Sequence, residues 1–362
     1  MKKPCWLKGS YIQFKITFVF FSLVLKFQKS KKMTDKVLIT SFGGLGDIIV
    51  RQKLIDLIAK KYGKENIRVL VKNNPEVISI MGYESIYFKK NTHKNIFKLV
   101  KLYNEILKNG FKRLYLLETM GNSELYFLKY CKFEEIMGYE CEILRKWEGE
   151  YKKVLVPTKK GKVLDVIYEF AKNIDENSVK NSLVPSFDIT KNNDNYISVG
   201  VGASGKSRIS SPKKLGEFLN FIKEKDLMLK FHLLGNGKIE REYGEELKKI
   251  VGEDKIINKV GTVDLLTVIK EIANSKMYIG FDSGLYNMAY ALNKKIILLA
   301  SRNESSGFYH ECENIAIIFR NEDKAWKEMD DSIYKNREMN GIHLDSFIEA
   351  YKSFEERNED IK

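Results

Sequence analysis

Three strand-to-helix junctions in this sequence carry residue types suited to chemistry on a hydroxyl or a phosphate. The first is SFGGLGDIIV, residues 41 to 50, where Gly43, Gly44 and Gly46 crowd ahead of Asp47. Glycines at a helix start bring bare backbone N–H groups to its N-terminus, which suits an anion. Asp47 has two readings. A carboxylate at the ligand edge of a sheet can accept a proton, and Asp is also a preferred first-turn cap. The glycine spacing is not G-x-G-x-x-G, and the second apolar run ends on Lys72 and Asn73 instead of the acid that would hold a ribose. Nicotinamide-dependent oxidoreduction is therefore disfavoured.

The second junction is GVGASGKSRISSP, residues 200 to 212. Ser204, Lys206 and Arg208 offer a hydroxyl and two cations to an anion. Ser211 and Pro212 then supply an N-cap and a first helical residue. Gly-Lys-Ser lacks the Walker spacing here, which argues against an ATPase. The third junction is YIGFDSGLYNMAYAL, residues 278 to 292, in which an apolar run closes on Asp282, Ser283 and Gly284 turn, and a helix begins. Its first N–H groups, at 283 to 286, can grip a diphosphate.

No Asp-x-Asp pair offers a carboxylate cage for a magnesium-bound diphosphate. His93, His232, His310 and His343 are scattered without metal-binding spacing and read as structural or exposed. Cys5, Cys131, Cys141 and Cys312 form no C-x-x-C pair, which fits a reducing compartment. Handling a phosphate without a metal falls to helix N-termini and to Lys and Arg, the equipment of the three junctions.

The elements that must position these groups alternate along the chain. In the first half KVLITSF, IRVLVKN, SIYFKK, RLYLLET and KVLVPT read as strands, with helical spacing over 47–62, 94–109 and 162–174. After a polar stretch at 185–195, YISVGVG, MLKFHLLGNG, KMYIGFDSG, KKIILLAS and NIAIIFR follow, with helices near 213–225, 239–251, 263–274 and 285–292. Near-continuous apolar strands separated by helices predict parallel sheets covered on both faces. The fold class is α/β, as two tandem Rossmann-like doubly wound domains. Ligands are expected beyond the carboxyl ends of the strands, with the interdomain cleft as the default site. The predicted divisions are a leader at 1–33, an N-terminal domain at 34–190, a C-terminal domain at 191–345 and a polar tail at 346–362.

With 362 residues, 44% hydrophobic and 30% charged, the chain is long enough for two globular domains. The net charge of +14 is concentrated at the start, because residues 1 to 33 hold eight lysines and no acid, which leaves +6 for the rest. No basic helical stripe interleaved with aromatics appears, so nucleic acid is not an expected partner. The leader's apolar core, Ile16 to Leu25, is short beside the roughly 20 residues of a membrane span. It reads either as a weak membrane anchor or as a stretch ahead of a start at Met33. The second is preferred, since α/β domains often open on their first strand.

SFGGLGDIIV, GASGKSR with its following SP, HLLGNG, and VGTVDLLTVIKEIANSKMYIGFDSGLYNMAYALNKKIILLAS occur in one order between about Lys36 and Ser301. In this the chain resembles glycosyltransferase family 9, the lipopolysaccharide heptosyltransferases. The resemblance implies the GT-B arrangement of two Rossmann domains and metal-free, inverting transfer of a sugar from a nucleotide diphosphate, ADP-heptose being the family's donor. Its implied partners are a glycan or glycolipid acceptor and the inner face of a cell membrane, reached from the cytoplasm. It makes Asp47 the general base, beside an acceptor-side loop of Gly43, Gly44 and Gly46. It gives Ser204, Lys206, Arg208, Asp282, Ser283 and Gly284 the donor phosphates or sugar, and puts Gly261 and Thr262 near the nucleoside. The chain departs from the family pattern at Asn287, where a histidine is usual, and in the tryptophan absent from the loop at 208–212. Those departures favour an alternative, a non-catalytic nucleotide-sugar or glycan-binding relative. A nucleotide-dependent oxidoreductase is the other.

Overall fold

β-branched and aromatic residues fill the apolar runs, and strands buried on both faces can pair only in parallel with helical crossovers between them. The computed structural model shows this twice. It describes residues 19, 21, 33–89, 91–118, 122–147, 151–157, 162–203, 205, 208–301, 309–310, 312–320 and 338–359. The chain divides into two units, one of residues 1–160 and 165–183, the other of 161–164 and 184–362.

The first unit holds β1 (Thr34–Ser41), β2 (Ile67–Val71), β3 (Glu84–Tyr87), β4 (Phe111–Leu116), β5 (Glu135–Tyr139) and β6 (Lys152–Val156), in the spatial order β3-β2-β1-β4-β5-β6. The second holds β7 (Tyr196–Gly200), β8 (Lys230–Leu234), β9 (Ile256–Asn258), β10 (Tyr278–Phe281), β11 (Ile296–Ala300) and β12 (Ile315–Phe319), in the order β12-β11-β10-β7-β8-β9. Neighbouring strands in both sheets pair in parallel. The two orders are one order: in each sheet the first and fourth strands lie side by side and the chain winds outward from them. That is the doubly wound architecture, and its ligand crevice opens where the winding reverses, at the carboxyl ends of β1 and β4 and of β7 and β10.

Each sheet has one strand more than its apolar runs foretell. β5 carries Glu135 and Gly138, and β9 is three residues long, so neither forms an apolar run. The helix expected over 47–62 is two helices, Leu45–Val50 and Gln52–Tyr62, broken at Arg51. The residues at 346–359, expected within a polar tail, lie in the helix Leu344–Glu359. Phe347, Tyr351 and Phe354 recur on one of its faces and are buried, with Phe347 stacked on Phe218 at 4.4 Å.

Three residues of the leader are described, Val19, Phe21 and Met33. Val19 is exposed, and Phe21 is fully buried in the first unit's core. Its ring stacks with Phe127 at 5.9 Å and meets Tyr103 and Tyr130 edge-on at 5.6 and 5.8 Å. Among the described residues no helix is long and apolar enough to cross a membrane.

Candidate active site

At the first crevice, β1 runs out through Phe42 into Gly43 and Gly44, and its two neighbouring strands hold that turn from either side. From the end of β2, Asn73 Nδ2 donates to the carbonyls of Phe42 and Gly43, each at 3.2 Å. From the end of β4, Glu118 Oε1 accepts the N–H of Phe42 and the N–H of Gly43, the latter at 2.8 Å. Gly44 N–H goes to Asp47 Oδ2 at 2.8 Å. The N–H groups of Phe42, Gly43 and Gly44 are thus already taken by carboxylates. Their partners are the chain's own Glu118 and Asp47.

The glycines serve clearance instead. A Cβ on Gly43 would collide with Cβ of Asp47 and stand 2.6 Å from Glu118 Oε2 and 2.7 Å from Asp47 Oδ2. The two carboxylates therefore face each other across a gap of one methyl group. Gly44 is open, its nearest neighbour being Asp47 Oδ2 at 3.6 Å, and Gly46 lies in the first turn of the short helix.

Asp47 caps the turn and still presents half of its carboxylate to solvent. While Oδ2 caps the turn, its side chain stays 52% exposed, and Arg51 Nη1 stands 3.4 Å from Oδ1. Arg51 also bonds Asp47 O and Leu117 O, each at 2.8 Å, which ties the break between the two helices to the end of β4. Glu118 is buried, 8% exposed, and burial pushes its carboxyl up to about 7. Arg51 and the Gly43 N–H act against that rise, and the charge of Asp47 adds to it.

The second crevice gathers the other two junctions. Arg208, in the loop after β7, pairs through Nη1 with Asp282 Oδ2 at 3.1 Å, joining the ends of β7 and β10. Ser211 caps the helix Pro212–Lys225 by accepting Lys214 N–H at 3.2 Å, as Ser-Pro foretells. Ser283 is the N-cap of the helix Gly284–Ala291, its Oγ buried without a hydrogen-bond partner among the described residues. Asn287 Nδ2 donates to Ser283 O at 3.0 Å, and Asn287 Oδ1 lies 2.9 Å from His310 Nε2. Because Oδ1 can only accept, His310 donates through Nε2. His310 is buried, stacked on Tyr290 at 3.7 Å, and burial lowers its imidazole to about 4, so it is neutral near pH 7.

Under the same sheet edge, Gly200 and Gly280 face each other in register across β7 and β10, and the Tyr278 ring lies over both. A Cβ on Gly200 would collide with the Tyr278 hydroxyl, and one on Gly280 would stand 2.6 Å from it. Farther along the sheet, Gly261 takes φ of +66° and donates its N–H to Gly235 O at 3.1 Å. Thr262 Oγ1 bonds Lys259 O at 3.0 Å, which leaves this turn beside the loop after β8. Glu240 rises there, where a Cβ added to Gly202, Gly235 or Gly237 would meet its side chain.

The structure thus brings Arg208, Asp282, Ser283, Gly284 and Asn287 together at the second unit's crevice. It sets Gly43, Gly44, Gly46 and Asp47 at the first unit's, and places Gly261 and Thr262 at the outer loops of the second sheet. Ser204 and Lys206 lie outside the described residues. Glu118 and Glu240 escaped the sequence reading, which named Asn73 only as the end of the second apolar run and His310 only as structural or exposed. Glu118 closes an apolar run just as Asp282 does, and that signal could have found it. Among the described residues no three His, Cys, Asp or Glu side chains converge as a metal-holding group.

No protein-family model matches the sequence, and a comparison with curated proteins finds no similar sequence. Solved structures are similar in fold. The E. coli ADP-heptose LPS heptosyltransferase II aligns with a TM-score of 0.67 at 16% identity, over 90% of this chain and 99% of that one. A glycosyl transferase family 9 structure from Veillonella parvula DSM 2008 gives 0.70 at 14% identity, over 89% and 98%. The E. coli heptosyltransferase WaaC with ADP gives 0.65 at 13% identity, over 89% and 99%. The likeness covers most of both units, and the chain therefore has the paired Rossmann-like, GT-B type fold of these heptosyltransferase structures.

Proposed function

We propose that the chain is a metal-independent, inverting glycosyltransferase that moves a heptose-like sugar from a nucleotide diphosphate to a surface-glycan acceptor. The observation that carries this reading is the placement of the charged groups. Each unit carries charged side chains where its sheet reverses its winding, Asp47 in the first and the Arg208–Asp282 pair with a helix N-terminus in the second. Two solved proteins of the same fold are named for heptose transfer, one of them with ADP bound.

In this reading the free face of the Asp47 carboxylate takes the proton of the acceptor hydroxyl as its oxygen attacks the anomeric carbon. The bond from that carbon to the diphosphate breaks on the opposite side, which inverts the configuration. The departing diphosphate gains charge, and the N–H groups of residues 283 to 286 with Arg208 are set to receive it. Ser204 and Lys206 complete the phosphate loop. Asp282 orients Arg208, Glu240 suits the ribose hydroxyls, and Gly261 and Thr262 border the nucleoside. The acceptor is a glycan or glycolipid met at the inner membrane face.

The test is a thermal-shift panel of nucleoside diphosphates followed by release of ADP from ADP-heptose. A ligand at about 100 times its dissociation constant stabilises its unit by about 2.7 kcal/mol. ADP is expected to give the largest shift, and Asp47→Asn to abolish turnover while leaving that shift intact. Turnover is expected to survive a chelator. A second reading, a non-catalytic nucleotide-sugar-binding relative, draws on Asn287, whose amide is spent on Ser283 O and His310. ADP binding with no turnover of any donor would favour it.

A further inference from the structure

We infer that Glu118 is the positioning residue for Asp47, fixing the Phe42–Gly44 turn from which the Asp47 carboxylate is held; the inference rests on the reading of Asp47 as the base. Three observations carry it. Glu118 Oε1 is the shared acceptor for the N–H groups of Phe42 and Gly43, so it sets the exit direction of β1. The next N–H, that of Gly44, is the one bonded to Asp47 Oδ2, so any rotation of the turn is passed to the carboxylate. The second Glu118 oxygen faces Asp47 Oδ2 across the empty Cβ position of Gly43, so the charge of Asp47 adds to the rise of the Glu118 carboxyl. Arg51 closes the group from the helix side through Asp47 O, Asp47 Oδ1 and Leu117 O. Asp47 and Arg51 are the ionisable groups that face Glu118 among the described residues. A glutamate placed only to finish a strand would need neither the double acceptance nor the facing oxygen.

The test uses the full chain with Glu118→Gln, Glu118→Ala and Asp47→Asn, and reads ADP release from ADP-heptose and the carboxyl resonance of Asp47 in 13C-aspartate-labelled protein. A carboxamide keeps the acceptor oxygen for the two N–H groups, whereas alanine removes it. Glu118→Ala is expected to lower kcat roughly 100-fold, as a displacement of about 1 Å does, with KM for the donor within threefold of wild type. Glu118→Gln is expected to recover most of kcat but to lose the inflection of the pH–rate profile near neutrality. The Asp47 resonance is expected to move when Glu118 titrates, and Glu118→Gln to erase that movement. Wild-type kcat in Glu118→Ala would overturn the inference, as would a Glu118→Gln enzyme as impaired as Glu118→Ala. So would an Asp47 resonance indifferent to Glu118, a readout that needs neither turnover nor the right donor. Activity surviving in Asp47→Asn would instead sink the base assignment, and the resonance would still decide whether Glu118 positions Asp47.

Discussion

Gly43 and Gly44 are neighbours of identical chemistry in one turn, and the structure assigns them opposite tolerances. In Gly43→Ala the new Cβ collides with Cβ of Asp47 and lies 2.6 and 2.7 Å from carboxylate oxygens of Glu118 and Asp47. Ordinary van der Waals contact begins at 3.4 Å, so these oxygens must retreat by about 0.7 Å or more, and backbone on either side must follow. Such overpacking costs about 1–3 kcal/mol. With about 2–4 °C per kcal/mol for a unit of this size, the melting temperature should fall by roughly 2–12 °C. The Asp47 carboxylate, the base in the proposed reaction, moves by nearly the distance that costs about 100-fold in rate. In Gly44→Ala the nearest atom is 3.6 Å away and the backbone, with φ of −72° and ψ of 177°, suits alanine. That variant should lose only roughly 1–4 °C of melting temperature and keep its rate within a fewfold, since replacing an N-cap glycine by alanine costs about 0.5–1 kcal/mol and nothing has to move. Differential scanning fluorimetry and ADP release from ADP-heptose, run on both variants together, give the answer. Equal behaviour of the two, or a wild-type Gly43→Ala, would refute the clearance argument.

Four further outcomes are expected. His310, lowered from 6.5 to about 4, carries stability that is complete above 6.5 and is lost as pH falls toward 4, about 3 kcal/mol in all; denaturant titrations at pH 5 and pH 7.5 should lose that slope in His310→Gln. Glu118, raised from 4.5 to about 7, works in the opposite direction: its contribution, also about 3 kcal/mol, is complete below 4.5 and lost as pH rises through 7. Stability of Glu118→Gln relative to wild type should therefore improve from pH 4.5 to 7, and a flat difference would count against the burial argument. Arg208→Ala should weaken ADP binding about 3- to 10-fold by calorimetry, a modest effect because the pair is partly solvated. Phe21→Ala should cost the first unit about 3–5 kcal/mol, read as an early melting transition, because three aromatic rings lose a fully buried partner.

Local patterns make most of the fold legible. The ten apolar runs predict ten of the twelve strands, and the three junctions fall where turns must leave the carboxyl edges of sheets. What escapes the sequence depends on which strands become neighbours. Glu118 reaches the glycine turn only because β4 lies against β1, a pairing of residues some 75 positions apart. Asn73 does so only because β2 lies on the other side. His310 joins Asn287 from 23 residues away, through a contact that no periodicity announces. The N–H groups of the glycine turn illustrate the same limit. Their spacing suits an anion, but the anions that bind them come from the chain's own Glu118 and Asp47.

The Tyr278 ring over Gly200 and Gly280 also bears on how this sheet can vary. None of the three positions is free to change alone, because a methyl group at 200 or 280 meets the phenol, while a smaller residue at 278 leaves a hole above two glycines. The cost of alanine at 200 therefore depends on what stands at 278, and its sign can reverse once the ring is gone. Such a trio diverges as a block: sequences of this fold with a side chain at 200 should carry a small residue at 278, so tyrosine there and glycine at 200 travel together. Coupling of that kind hides kinship from position-by-position comparison while leaving the backbone where it was.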